Sequence, residues 1–285
     1  MQLEEIKTIG VVGAGTMGAG IAQVCARAGY KTFLFDINAN MLQKSEATIG
    51  ANLDKGIALG KLTATDKQTV LDNIVFTEDT LQLITDVVIE AAVERLEVKQ
   101  SIMQELASIN SSDTILATNT SSLSVTRIAG AVAHPERVVG MHFFNPAHIM
   151  KLVEVVSGAA TAPSVAETVR QLALKLEKTP VMVQDSPGFI VNRVARHYYV
   201  ESLKLLEEGV ASVETIDQLM RASGFKMGPF ELIDLIGVDT NYAVTTSLFE
   251  AFHYDPKFRP NRIQQQKVDA GHLGRKSGKG FYTYE

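Results

Sequence analysis

The sequence predicts an α/β protein: a doubly wound, mostly parallel sheet flanked by helices, followed by a smaller all-α domain. Three observations carry this reading. Over the first 185 residues short apolar runs alternate with longer helical patterns, the rhythm of a parallel sheet with helices on both faces. Gly13-Ala14-Gly15-Thr16-Met17-Gly18 stands between the first apolar run and the first helical pattern. Runs of strand length stop after Asp185, and only helical patterns follow.

The elements follow in order. Residues 6–12 read as a strand, 13–18 as a turn, 19–28 as a helix and 31–35 as the second strand. Further strands are expected at 74–77, 87–91, 114–118, 138–143, 152–156 and 181–184, with helices at 96–109 and 164–176 between them. Residues 41–71 are too long for a simple crossover. They carry two helical patterns broken at Gly60-Lys61-Leu62, with Thr63 as an N-cap and Asp66 at its N3 position. A helical hairpin projecting from the sheet is expected there. Ser186-Pro187-Gly188 reads as a helix start, Ser as cap and Pro at the first helical position. Helices are expected at 189–207, 213–222, 229–252 and 262–270. The boundary is placed at 185, giving domains 1–185 and 186–285.

Composition narrows the function. At 285 residues the chain buries a sizeable core in one large or two modest domains. Its 46% hydrophobic and 21% charged residues exclude a disordered or fibrous class. With 27 Lys plus Arg against 32 Asp plus Glu, and no basic run, nucleic acid is not an expected partner. No apolar stretch approaches membrane-spanning length, and the acidic start resembles no targeting peptide. A soluble, cytoplasmic protein is expected. Cys25 cannot form an intrachain disulfide and reads as a small core residue. The six histidines and Cys25 offer no metal-ligand spacing.

The glycine motif is G-x-G-x-x-G in strand–turn–helix context. Its first glycine permits the tight turn. The second admits a pyrophosphate to the helix N-terminus, and the third packs helix on strand. Asp36, eighteen residues past Gly18, ends the second strand, where a carboxylate binds both hydroxyls of an adenosine ribose. It would repel a 2′-phosphate, and Ile37-Asn38 supplies no cation, so NAD is expected over NADP. Glu94-Arg95, Asn119 to Ser122 and His142 to Pro146 follow three further strands. All would gather along the carboxyl edge of the sheet, where open α/β sheets bind ligands. His142 ends an apolar run, and Glu154 sits inside Leu152-Val153-Glu154-Val155-Val156, where an ionised carboxylate is costly unless paired. One account joins them: Glu154 accepts from one imidazole nitrogen, and the other moves a proton. The alternatives are a core histidine and a Glu154 exposed on a sheet face.

Seven segments occur in order: Gly13 to Gly18, Glu90-Ala91-Ala92-Val93-Glu94, Thr118-Asn119-Thr120-Ser121-Ser122-Leu123, Gly140 to Pro146, Lys151 to Val156, Pro187-Gly188-Phe189-Ile190-Val191-Asn192-Arg193 and Leu273 to Tyr282. Together they resemble the 3-hydroxyacyl-CoA dehydrogenase family over essentially the whole chain. The resemblance implies a Rossmann-type, NAD-binding domain with the hairpin insert, then an all-α domain that forms a homodimer and completes the substrate site. It implies reversible oxidation of an (S)-3-hydroxyacyl-CoA, 3-hydroxybutyryl-CoA first, without nucleic acid or membrane. By motif match His142 is the base and Glu154 its orienting partner, while Ser121 and Asn192 bond the substrate. Gly13, Gly15, Thr16, Met17, Gly18, Asp36, Glu94, Lys99, Ser121, Asn145 and Lys276 match cofactor contacts. Lys55 and Lys61 on the hairpin are candidate partners of the CoA phosphates or else solvated lysines. Residues 192–199 and 227–239 resemble members acting on 3-hydroxyadipyl-CoA. For Arg196, one helical turn from Asn192, two placements stand. It meets a carboxylate at the end of a dicarboxylic acyl chain, or it serves its own domain through an acidic partner or by reaching solvent. A non-catalytic, NAD-sensing homologue is the alternative from another class, against which the intact His142 and Glu154 stand.

Overall fold

The computed structural model describes residues 1–284. They divide into two compact units, residues 1–186 and 187 onward. The first unit is built on β1 (Thr8–Val12), β2 (Lys31–Phe35), β3 (Ile74–Thr77), β4 (Val87–Glu90), β5 (Ile115–Thr118), β6 (Val138–Phe143), β7 (Leu152–Ser157) and β8 (Thr179–Gln184). They form one sheet in the order β3-β2-β1-β4-β5-β6-β7-β8. Strands β1 to β6 run parallel; β7 is antiparallel to β6, and β8 runs with β7. The order reverses direction between β1 and β4, the switch point at which such sheets take ligands.

Strands β1 and β4 to β7 are buried on both faces because helices cover both. Helices α1 (Thr16–Arg27), α2 (Ala39–Ala58), α3 (Ala64–Asp72) and α6 (Pro163–Lys175) border one apolar cluster, in which Ile9, Val11, Ile21, Leu34, Val139, Val153 and Leu172 meet. Helices α4 (Leu96–Ile109) and α5 (Val125–Ala129) border the other, around Val12, Val88, Met103, Leu116 and Ile128. Neighbours in β1 go to opposite clusters, as the two-residue period of a strand requires. Strand β8 begins two residues earlier than its apolar run suggested, and Pro180 sits inside it. The edge position allows this, because a ladder hydrogen bond is not demanded on the open side.

The 41–71 insert is a hairpin, but it does not stand clear of the sheet. Leu42, Ile49 and Leu53 of α2 are buried in the first cluster. Ser45 Oγ donates to the Ala14 carbonyl, and Asn52 donates to Gln23 of α1. The Thr63–Asp66 capping box opens α3, with each side chain serving the other's backbone N–H.

The second unit contains α7 (Val191–Glu207), α8 (Val213–Ala222), α9 (Pro229–Ile236), α10 (Val238–Ala251) and α11 (Arg262–Asp269) around Tyr199, Leu203, Ile216, Phe230, Ile233 and Val238. Two expectations are corrected here. The single helix over 229–252 is two, because Gly237 takes φ +105, which breaks the helical path and which a side chain would resist. The helix expected from Ser186-Pro187 starts only at Val191, since Gly188 and Phe189 both have positive φ and make a turn first. Asp217 of α8 accepts from the backbone N–H of Phe230 and Glu231, so its side chain caps α9. No helix among the described residues is long and apolar enough to cross a membrane.

Candidate active site

Strand register gathers the chemistry along one edge of the first unit. Val12 pairs with Phe35 on one side and Glu90 on the other; Glu90 pairs with Thr118, and Thr118 with Gly140. The ends of β1, β2, β4 and β5 are therefore level, and His142 lies two residues further along β6. Because β7 runs back, its first residues start at this same edge.

At β1 the glycine loop carries out the roles expected of it. Gly13 has φ +98, and a Cβ there would press on the backbone of Ala91. A Cβ on Gly18 would collide with the Gly13 carbonyl. At Gly15, the N-cap of α1, a Cβ would meet no protein atom within 4 Å. That open space lies over the first turn of a helix, whose N–H groups have no intrahelical acceptor. Thr16 and Met17 form this turn. Asp36 stands beside the loop: its Oδ2 accepts from Ala14 N at 2.8 Å and its Oδ1 from Asn38 N at 3.0 Å. Ile37, next along, is exposed and brings no positive charge. An adenosine diphosphate with free ribose hydroxyls fits this arrangement.

His142 and Glu154 are directly opposed residues of the β6–β7 ladder, so their side chains share a face. Both are buried, and His142 Nδ1 lies 2.8 Å from Glu154 Oε2. An ionised carboxylate only accepts, so Nδ1 carries a proton and Nε2 is the basic nitrogen of the neutral ring. Phe144 packs 4.5 Å from the imidazole centroid, and Asn119 Oδ1 accepts from Phe143 N at 2.8 Å. The end of β6 is thereby tied to the end of β5.

Between these two centres lies a charge chain, buried at Glu90 and Lys99 and open to solvent at Glu94. Lys99, on α4 and 1% exposed, donates to Glu90 Oε1 at 2.7 Å. The same oxygen accepts from Ala92 N, and Glu90 Oε2 accepts from Thr118 Oγ1. Lys99 Nζ also lies 3.3 Å from Glu94 Oε2. The other oxygen of Glu94 accepts from Thr120 Oγ1 and from the backbone N–H of Ser121 and Ser122, at 2.7, 2.8 and 3.1 Å. Burial alone would raise the Glu94 carboxyl, but the Lys99 ammonium and the Thr120 and Ser121 hydrogen bonds outweigh it and hold it below the usual range. Glu94 thus shapes the turn that presents Ser121, and Lys99 fixes Glu94.

Comparison with known proteins assigns both units. The NAD binding domain of 3-hydroxyacyl-CoA dehydrogenase matches residues 8–186, and the C-terminal domain of the same enzyme matches 188–284. The chain belongs to the 3-hydroxyacyl-CoA dehydrogenase family. It is 50% identical, over 98% of its length, to the 3-hydroxyadipyl-CoA dehydrogenase of Escherichia coli K12, and spans 59% of that protein. It is 42% identical to the 3-hydroxybutyryl-CoA dehydrogenase of Bradyrhizobium diazoefficiens, over 98% of this chain and 96% of that one. The solved (S)-3-hydroxybutyryl-CoA dehydrogenase of Ralstonia eutropha superposes with a TM-score of 0.95 at 42% identity, covering 99% of this chain and all of the other.

The 3-hydroxyacyl-CoA dehydrogenase family's NAD-binding domain is therefore the first unit, and NAD its cofactor. Asn145 is exposed in the loop that follows β6 at the same edge. Lys55 and Lys61 are exposed on the hairpin, at the end of α2 and in the turn after it. Asn192 and Lys276 belong to the second unit. Asn192 is the second residue of α7, and Lys276 is ion-paired to Asp239 at 2.7 Å. Arg196 is corrected. The structure buries it within the helical unit, where Nη1 donates to Asn241 O and Thr245 Oγ1, both at 3.0 Å, and the guanidinium lies over Tyr199. Burial lowers it to about 10. The i, i+4 relation to Asn192 is real, but Arg196 lies on the buried face of α7 with Tyr199, Val200 and Leu203, and its contacts join α7 to α10. Arg196→Leu is accordingly expected to leave the kcat/KM ratio between acetoacetyl-CoA and 3-oxoadipyl-CoA unchanged; a selective loss on the dicarboxylic thioester would overturn this placement.

Glu90 and Thr118 are members of the site that the sequence does not single out, and Asn119 stands out there only as part of the polar cluster after the 114–118 strand. The signal for Glu90 was present: an acid at the end of Val87-Val88-Ile89-Glu90 needs a partner for the reason that Glu154 does.

Proposed function

We propose that the chain catalyses the reversible oxidation of (S)-3-hydroxyacyl-CoA to 3-ketoacyl-CoA, with 3-hydroxybutyryl-CoA the first substrate to test. The observation that carries the chemistry is the buried His142–Glu154 pair at the sheet edge that also bears the glycine loop and Asp36. When bound, NAD supplies the hydride acceptor for C3. His142 takes the hydroxyl proton at Nε2, and in the reverse direction its imidazolium returns it. Glu154 holds the Nδ1–H and offsets the charge that forms on the ring. Ser121, on the turn shaped by Glu94, and Asn192 of α7 are assigned hydrogen bonds to the substrate. Lys55 and Lys61 are assigned to its CoA phosphates, and Lys99, Asn145 and Lys276 to the cofactor side.

A second reading takes 3-hydroxyadipyl-CoA as the substrate. The Escherichia coli relative bearing that name, at 50% identity, favours it. Steady-state rates with acetoacetyl-CoA and 3-oxoadipyl-CoA, each with NADH, decide between the two. No turnover of either would remove both readings. We further propose a cytoplasmic homodimer. Val194, Leu219, Phe225, Leu235 and Ile236 are exposed apolar side chains of the helical unit that a second copy would cover.

Cofactor choice follows from Asp36. The parent is expected to prefer NADH over NADPH, and Asp36→Ala to narrow that preference by roughly tenfold to a hundredfold, the worth of a hydrogen bond to a charged group. The test is kcat/KM with each cofactor in both proteins. Equal use of both by the parent would refute the argument.

A further inference from the structure

A second cluster of charge lies in the first unit, lined by none of the residues of the His142–Glu154 pair or the glycine loop. The end of α1, the loop after β6 and the end of α6 enclose a cavity of about 180 Å³. Arg27, Lys151, Lys175 and Lys178 line it, with Glu177 as its single acid and His148 as its imidazole. The whole chain carries a net charge of −5, so this concentration of cations runs against the average.

Lys178 is the decisive member. It is buried, and its ammonium donates to Ala147 O at 2.6 Å and to Met150 O at 2.9 Å. An ammonium has three N–H donors, and these two carbonyls take two of them. Among the described residues no carboxylate is ion-paired to it. Its neighbour Glu177 is instead exposed and paired to Arg27 at 2.8 Å. A buried cation without a counter-ion is costly, and further cations crowding the same wall add to that cost. The crowding is felt. Burial lowers the Lys178 ammonium most, Arg27 and Lys151 lower it further, and the nearby Glu177 offsets this only in part. Burial lowers His148 as well, aided by the charges of Lys178 and Lys55. An oxyanion in the cavity would relieve all of these groups at once.

We infer that this cavity is a subsite for a phosphate-type oxyanion, received by Lys178 at its base and by Lys151, Lys175 and Arg27 at its mouth. Two sources carry that chemistry: a phosphate of the CoA substrate, which rests on the dehydrogenase reading, and free phosphate, which does not. Lys178 also holds the loop after β6 through its two carbonyl contacts, so its removal threatens folding. The main test therefore uses Lys151→Gln/Lys175→Gln, both exposed in the parent, with Lys178→Met as a second variant.

Inorganic phosphate is titrated into each purified protein by calorimetry, with chloride at matched ionic strength as the control. The parent is expected to bind phosphate and not chloride, and the double variant to bind it at least about tenfold more weakly, the loss expected when a charged hydrogen bond goes. Phosphate affinity equal in parent and double variant, or matched by chloride, overturns the proposal. The source is read from KM for acetoacetyl-CoA and acetoacetyl-pantetheine, the latter lacking the phosphates. A rise confined to the CoA thioester in the double variant assigns the subsite to the substrate. Unchanged KM values beside weakened phosphate binding assign it to the free anion. Because the calorimetry needs no turnover, an inactive protein would refute the dehydrogenase reading without touching this one.

Discussion

His142→Gln is expected to fold, to bind NAD, and to lose turnover by about 10²- to 10⁴-fold, the usual cost of removing a positioned general base. The amide keeps a donor toward Glu154, so the packing of the β6–β7 ladder has no reason to fail. It cannot take the hydroxyl proton. The measurement is kcat in the reductive direction with acetoacetyl-CoA, beside the dissociation constant for NADH. A near-normal kcat would remove His142 from the chemistry. Glu154→Gln belongs to the same test, because Glu154 faces His142 across the ladder at 2.8 Å. The neutral amide no longer offsets the imidazolium, so kcat falls while NADH binding stays. A loss of thermal stability with kcat intact would make Glu154 a structural group only.

The largest stability effect is expected at Lys99. Lys99→Met strands the Glu90 carboxylate, which is 0% exposed, without its cation. Breaking a buried pair from one side costs about 3–5 kcal/mol, whereas neutralising both partners costs far less. Glu90→Gln/Lys99→Met should therefore recover much of the stability lost in Lys99→Met, as read from urea midpoints at constant m. It should not recover the rate in full. Glu94 loses the ammonium that fixes it, and with it the turn under Ser121 loosens. A Lys99→Met protein within about 1 kcal/mol of the parent would show that the charge chain is idle, since surface pairs are worth that little.

The contrast between what was and was not legible in the sequence has a physical reason. The glycine loop could be read because only glycine tolerates φ +98 at Gly13 and the crowding at Gly18. Glu154 could be read because an acid amid Val153, Val155 and Val156 must find a partner. Glu90 obeys the same rule, but at the last position of its strand it was indistinguishable from the start of a polar loop. Gly237 looked like a tolerated interruption in a long apolar pattern, and only its dihedral shows that it ends α9. Phe189 is harder still, since nothing in a phenylalanine announces a positive φ. Arg196 shows the limit of periodicity. Spacing gives the face of a helix, while what covers that face depends on α10, whose residues lie some forty-five positions along the chain.

The reversal of β7 has a consequence for how tolerant the catalytic pair is to change. Opposed ladder positions, and not the loop between the strands, set the distance from His142 to Glu154. A one-residue slip would turn one of them to the other face, and the buried valines on either side forbid that slip. Phe144 packs on the His142 ring and Asn145 is assigned to the cofactor side, but residues 148–151 are under no such constraint from the pair. Insertions or exchanges in that connection could remodel the rim of the site while the proton-transfer unit stays in register. A designer seeking new thioester preferences would do well to begin there, keeping the hydrogen bonds from Lys178 that anchor the loop.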